Sequence, residues 1–273
     1  KAHRGQAHMA VSDVFVRESG SGPGVVCLHS NASSSSQWRG LMDSLSRRHR
    51  VLAPDAYGAG KSPGWPMDRP LTLADEAEFI EPVLQRAGSP LVLVGHSYGA
   101  AVALIAALRQ PARVKALVLY EPTLFSLIEA ESPQPNAADG IRHAVAAAAA
   151  ALDRGDTNGA AEHFIDYWMG TGSWAATPES RQLPIATSVR NVRHWAQALF
   201  TEPTPLAAFR SLELPVLYMV GDRSTASAHG VARLLVPALP RVTPHRFDTL
   251  GHMGPVTDPE PVNRVIEDFL ARL

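Results

Sequence analysis

Leu91-Val92-Leu93-Val94-Gly95-His96-Ser97-Tyr98-Gly99 passes from a short apolar run, through a glycine-flanked serine, into the helical pattern Tyr98–Arg109. Four apolar residues without alternation suit a strand covered on both faces, and the almost wholly apolar stretch that follows suits a buried helix. A serine on the sharp turn between them takes a strained backbone, so its neighbours must be small where chain meets chain. Gly95 and Gly99 meet that need. The helix N-terminus behind Ser97 favours negative charge in front of it. G-x-S-x-G alone is a weak signal, because glycine and serine are common. Its place between strand and helix is what makes Ser97 a candidate nucleophile.

Outward from this turn, similar apolar runs recur at Val25–Leu28, Val51–Ala53, Ala116–Tyr120, Val216–Val220 and, more weakly, Val242–Phe247. Helical spacing fills Ser36–Arg48 and Leu73–Ala87. Strand alternating with helix predicts a doubly wound, mostly parallel α/β sheet, with Val11–Val16 as an antiparallel edge strand or hairpin. The alternation stops between Pro122 and Leu214. That stretch reads as helices over Gly140–Arg154, Gly159–Met169, Pro178–Leu183 and Ser188–Phe200, and it holds Trp168, Trp174 and Trp195. The expected organisation is therefore a core of residues 10–121 and 215–273, with a helical cap, 122–214, inserted between strands. Trp168 and Trp195 are candidate substrate-binding residues in that cap. The Ala144–Ala151 run favours helix but offers little volume, which predicts a loosely lying cap helix. A separate binding domain is the alternative, but no linker-like segment flanks the stretch.

With 273 residues, 45% of them hydrophobic and 19% charged, the chain has the composition of a globular protein with a large core. A formal net charge of −1 gives no electrostatic footprint for nucleic acid or for an anionic membrane. No run is long enough to cross a bilayer. The single cysteine, Cys27, sits in an apolar run and reads as a buried core residue; it excludes an intrachain disulfide and suits a reducing cytoplasm, the expected location. Lys1 to Met9 lacks the apolar stretch of a signal peptide and is expected to be disordered or an added tail ahead of a start at Met9. Oligomeric state stays open.

A serine hydroxyl is a weak nucleophile until a base takes its proton. The base is expected after the last strand, where Leu250-Gly251-His252-Met253-Gly254-Pro255 stands. Glycine on both sides suits a tight loop delivering an imidazole to the sheet's C-terminal edge. Among eleven histidines, His252 is singled out by this position. His245 falls inside the last strand as a packing or surface residue, and His96 is expected to point away from the site.

The order Ser, acid, His, with a helical insertion before the later strands, is similar to the α/β-hydrolase superfamily over nearly the whole chain. The resemblance is carried by Leu28-His29-Ser30-Asn31, by Asp55-Ala56-Tyr57-Gly58-Ala59-Gly60-Lys61-Ser62, by the serine turn and by Gly251-His252. It implies an oxyanion hole made by the backbone N–H groups of Asn31 and Tyr98, with Ser30 standing where the family usually has glycine. The Asp55–Ser62 segment resembles the family's D-x-x-G-x-G-x-S and is expected to shape a loop beside the site.

The family's acid usually closes a G-x-x-D turn after the strand represented here by Val216–Val220. This chain has Gly221-Asp222-Arg223-Ser224 instead. Two acids therefore stay open. Glu121 ends the run Ala116–Tyr120, where a subset of the family, some haloalkane dehalogenases included, places its acid. Asp222 lies in the usual loop, two residues early. Glu121 is preferred because the G-x-x-D acid is missing, although either carboxylate also reads as a loop salt bridge or turn cap.

The resemblance implies cleavage of a carboxylic ester, lactone or thioester of a small molecule through an acyl-enzyme. No metal or organic cofactor is called for, and the scattered histidines lack ligand spacing such as H-E-x-x-H. Dehalogenase and epoxide hydrolase chemistry is disfavoured, because both use an Asp nucleophile where this chain has Ser97. An acyltransferase on the same fold, or a ligand-binding receptor with little turnover, are the alternatives.

Overall fold

The computed structural model describes residues 13–273, so the expectation for residues 1–9 lies outside the described residues. Seven strands form one sheet: β1 (Val16–Ser19), β2 (Gly24–Leu28), β3 (Arg50–Pro54), β4 (Leu91–His96), β5 (Val114–Tyr120), β6 (Val216–Gly221) and β7 (Val242–Phe247). Their order is β1-β3-β2-β4-β5-β6-β7. β1 pairs antiparallel with β3, and every other pairing is parallel. The edge strand begins where the sequence had it ending, at Val16. It carries the charged pair Arg17 and Glu18, the first half-buried with its Nε–H donated to Ser35 Oγ and the second exposed, so no apolar run marks its position.

The central strands read as unbroken apolar runs because both faces are covered. Val25, Cys27, Val92, Val94, Ala116 and Val118 pack on one side, with Leu41, Met42, Ile266 and Phe269. The intervening Val26, Leu28, Leu91, Leu93, Leu117 and Leu119 pack on the other, with the helix Tyr98–Arg109. Successive residues on a strand point to opposite faces, so both clusters need apolar neighbours along one run.

One expected helix, Leu73–Ala87, is two: Leu73–Phe79 and Glu81–Ala87, parting at Ile80 (φ −89°, ψ 1°). Pro82 has no N–H to continue the first ladder and suits the first turn of the second helix. The first piece starts on a capping box between Thr72 and Asp75.

Between β5 and β6 the chain is helical: Phe125–Glu131, Asp139–Asp153, Thr157–Met169, Ser173–Ala176, Glu179–Val189 and Val192–Thr201. The first and fourth carry too few residues to show a period in sequence. The alanine-rich helix does not lie loosely. Ala148 and Ala151, like Ala160 and Ala161 of the Thr157–Met169 helix, are fully buried. Small side chains here let helices approach closely, which substitutes proximity for volume. No described helix is long and apolar enough to cross a membrane.

Candidate active site

Strand order reverses at β2: β3 and β1 lie on one side of it, β4 and the later strands on the other. The crevice at such a switch point lies at the C-terminal ends of the strands. The loops after β2, β4, β5, β6 and β7 carry Asn31, Ser97, Glu121, Ser224 and His252 there.

Ser97 sits between β4 and the helix Tyr98–Arg109 with φ 60° and ψ −116°, a left-handed backbone that a side chain rarely adopts. Its N–H donates to the Tyr120 carbonyl at 2.9 Å, tying the turn to β5. Both flanking glycines are required. A Cβ on Gly95 would lie 2.5 Å from Ala100 Cα, and one on Gly99 would lie 2.2 Å from the Leu28 carbonyl oxygen.

Ser97 Oγ lies 2.8 Å from His252 Nε2. The opposite ring nitrogen, Nδ1, lies 2.6 Å from Glu121 Oε1. Assigning the ring proton to Nδ1 lets it donate to the carboxylate and leaves Nε2 to accept from the serine. All three residues are buried. Glu121 also has a left-handed backbone, at φ 47°. Its Oε2 accepts from the Gly221 N–H at 2.8 Å, and its Oε1 accepts from the Ser224 hydroxyl at 2.6 Å. Asp222 is turned away. Its carboxylate takes the Arg246 Nε–H at 2.8 Å in a partly exposed ion pair.

Asn31 and Ser30 line the cavity in front of Ser97. The Ser30 N–H is committed to Gln37 Oε1 at 3.0 Å. The left-handed residue in this loop is Ala32, at φ 57°; Ser30 has ordinary φ, so its side chain brings no strain. Tyr98 opens its helix, and the N–H of a first helical residue has no intrahelical acceptor. The Asp55 carboxylate accepts from the N–H groups of Ser35 and Lys61, which ties the Asp55–Ser62 loop to the segment after β2.

His96 does not point away from the site. Its ring is fully buried, its Nε2 lies 2.8 Å from the His252 carbonyl oxygen, and its Nδ1 lies 3.1 Å from Gln37 Nε2. Burial first, then the neighbouring His252, push its pKa down to about 3. The neutral ring donates from Nε2 and accepts at Nδ1. Gln37 thus joins the loop after β2 to the histidine loop through His96. The Tyr120 hydroxyl adds a second anchor, donating to the Gly251 carbonyl at 2.6 Å. His245 lies against Phe247 on the last strand, away from this cluster.

Above Ser97 and His252 lies a narrow cavity walled mainly by Phe125, Ile141, Phe164, Trp168, Trp195 and Leu199. All six come from the helices between β5 and β6. Trp168 lies flat on the His252 imidazole, with ring centroids 3.8 Å apart and 20° between planes. Trp195 meets Phe164 at 5.4 Å. Trp174 is buried elsewhere, its N–H bonded to Asp166. Among the described residues, no three His, Cys, Asp or Glu side chains gather as a metal site would require.

The family model described as alpha/beta hydrolase fold matches residues 23–259. The chain belongs to the α/β-hydrolase fold family. Pimeloyl-(acyl-carrier protein) methyl ester esterase of Aeromonas hydrophila is 26% identical, the match covering 94% of this chain and 99% of that protein. Among solved structures, a thermophilic esterase from Thermogutta terrifontis superposes with a TM-score of 0.76 at 21% identity, over 95% of this chain and 93% of that one. The enol-lactonase from Burkholderia xenovorans reaches 0.76 at 17% identity, over 94% and 96%. At such identities the structural likeness speaks for the fold alone. Together with the family, the esterase relative makes this α/β-hydrolase an enzyme of the hydrolase class.

Proposed function

We propose that this α/β-hydrolase cleaves carboxylic esters of small molecules, lactones and thioesters included, through an acyl-enzyme on Ser97. The observation that carries this is the run Ser97 Oγ, His252 Nε2, His252 Nδ1 and Glu121 Oε1 at the floor of a largely apolar cavity. The methyl ester esterase relative supports the same bond type. Residues 122–214 act as a cap whose tryptophans, Trp168 and Trp195, wall the acyl or alcohol pocket and keep bulk water out.

His252 takes the Ser97 proton as Oγ bonds to the carbonyl carbon. The N–H groups of Tyr98 and Asn31 hold the oxyanion that forms. The imidazolium, held by Glu121, then gives that proton to the departing alkoxide, leaving the acyl group on Ser97. Water enters, loses a proton to His252, and its oxygen bonds to the acyl carbon. Collapse of the second oxyanion breaks the Oγ–acyl bond, and His252 returns the proton to Ser97.

The test is hydrolysis of p-nitrophenyl esters from acetate to octanoate by the wild type, Ser97→Ala and His252→Ala. Turnover is expected in the wild type, with a loss of at least about 10⁴-fold in either variant. Equal background rates for all three proteins on every ester would overturn the proposal.

A further inference from the structure

The structure assigns Trp168 a task beyond walling a substrate: we infer that it is a positioning residue for His252, reaching the base from the helical insertion. This rests on the serine-hydrolase reading of the site. Two hydrogen bonds in the ring plane, at Nδ1 and Nε2, fix the imidazole along one line and leave it free to tilt about that line. A flat indole 3.8 Å from the ring face removes that tilt. The ring of His96 does not do so, lying 5.6 Å from His252 at 47°.

Trp168 is itself held from several sides. Phe125 stacks near it, at 6.2 Å and 21°, and Phe164 meets it edge-on. Its chain neighbour Tyr167 packs edge-on at 4.9 Å and places its hydroxyl 2.7 Å from Ser227 Oγ. Ser227 is fully buried in the helix Ala226–Ala238, which follows β6 and belongs to the sheet's own packing. The Tyr167–Ser227 bond therefore ties the Thr157–Met169 helix to the helix after β6. Ser97, Glu121 and Trp168, far apart in the chain, meet at one imidazole.

The same stack favours reaction over rest. The groups facing the imidazole are Glu121, Ser97, the neutral ring of His96 and Trp168. When His252 takes the serine proton it becomes a cation against an indole face, and that attraction is stronger for the charged ring than for the neutral one. The contact thus contributes more in the transition state than in the ground state.

The experiment compares Trp168→Leu, Trp168→Phe and Tyr167→Phe on p-nitrophenyl esters from acetate to octanoate, and follows the imidazole N–H resonance at low field. That resonance is assigned by its absence in His252→Ala. Positioning predicts that Trp168→Leu lowers kcat by between about tenfold and about 100-fold on every ester, acetate included, with KM for acetate, which is too short to depend on the pocket wall, within about twofold. Trp168→Phe, which keeps an aromatic face, recovers kcat to within about threefold of wild type, and Tyr167→Phe loses about threefold. The low-field proton is lost to solvent exchange in Trp168→Leu and kept in Trp168→Phe. A loss confined to long acyl chains and expressed in KM would make Trp168 a pocket wall only, and overturn the inference while leaving esterase function intact. If the wild type spares every ester, esterase function fails and the proton decides: its disappearance in Trp168→Leu upholds positioning, its persistence overturns it.

Discussion

Ser224 donates its hydroxyl hydrogen to Oε1 of Glu121 across 2.6 Å. The serine is the fourth residue of the turn Gly221-Asp222-Arg223-Ser224, where the family resemblance leads to the expectation of an acid. Here the carboxylate comes from the end of the neighbouring strand, and the turn supplies donors to it: the Gly221 N–H to Oε2 and the Ser224 hydroxyl to Oε1. The Glu121 N–H bonds back to the Met219 carbonyl of β6, so the two strand ends are locked around one carboxylate.

Glu121→Gln is therefore expected to lower kcat by about 10³- to 10⁴-fold, because an amide in place of the carboxylate no longer fixes the tautomer or stabilises an imidazolium. Asp222→Asn removes only a partly exposed ion pair with Arg246, worth about 0–1 kcal/mol, and is expected to keep nearly full activity. Steady-state kinetics on one ester settles the pair. A collapse in Asp222→Asn with Glu121→Gln active would move the acid to the usual loop.

Ser224 offers a stricter trial. Ser224→Asp alone sets a second carboxylate, on a half-buried residue, against the buried Glu121, and is expected to unfold at lower denaturant than wild type. In the Glu121→Gln background the same substitution restores a carboxylate beside His252. The double variant is expected to be more active than Glu121→Gln by at least about tenfold. A double variant that shows the summed losses of the two single variants would show that the loop cannot deliver an acid to the ring.

The strands around Ser97 were legible because burial on both faces forces apolar residues at every position, as in Val25–Leu28 and Leu91–Val94. β1 was not, because an edge strand with Arg17 and Glu18 needs no such run. Local chemistry marked the turn at Ser97: a side chain at positive φ between two glycines that a methyl group would overfill. Gln37, His96 and Ser224 escaped because their roles lie in pairings across distant chain. Gln37 meets His96 59 residues away, and Ser224 meets Glu121 103 residues away. Nothing in the sequence around Trp168 tells that its face lies on an imidazole rather than on a substrate.

Gly99→Ala is expected to cost at least about 3 kcal/mol, since its Cβ would stand 2.2 Å from the Leu28 carbonyl oxygen and 2.5 Å from its carbon. Neither atom belongs to a flexible side chain, so β2 or the helix Tyr98–Arg109 must shift. Gly64→Ala is the control: a Cβ there meets nothing within 4 Å, and the change is expected to stay within about 0.5 kcal/mol. Urea denaturation of both reads the difference, and equal stabilities would refute the close contact.

Glu76 gives the fold a pH dependence separate from the His252 cluster. It is buried on the helix Leu73–Phe79, its Oε1 accepting from the Tyr57 N–H at 3.2 Å and its Oε2 having no hydrogen-bond partner among the described residues. Burial raises its pKa to about 7 from the ordinary 4.5, and the nearby Tyr98 hydroxyl and the Tyr57 N–H pull it back only in part. Between those values the folded chain binds a proton that the unfolded chain has released. The resulting stabilisation is present in full below about pH 4.5 and is lost as pH rises through about 7. Glu76→Gln keeps an acceptor for Tyr57 and removes the titration. Relative to wild type it is expected to gain on the order of 3 kcal/mol between about pH 4 and about pH 8. Urea midpoints measured across that range test it: the two curves should diverge upward in pH, and parallel curves would show that Glu76 ionises in the folded chain as freely as in the unfolded one.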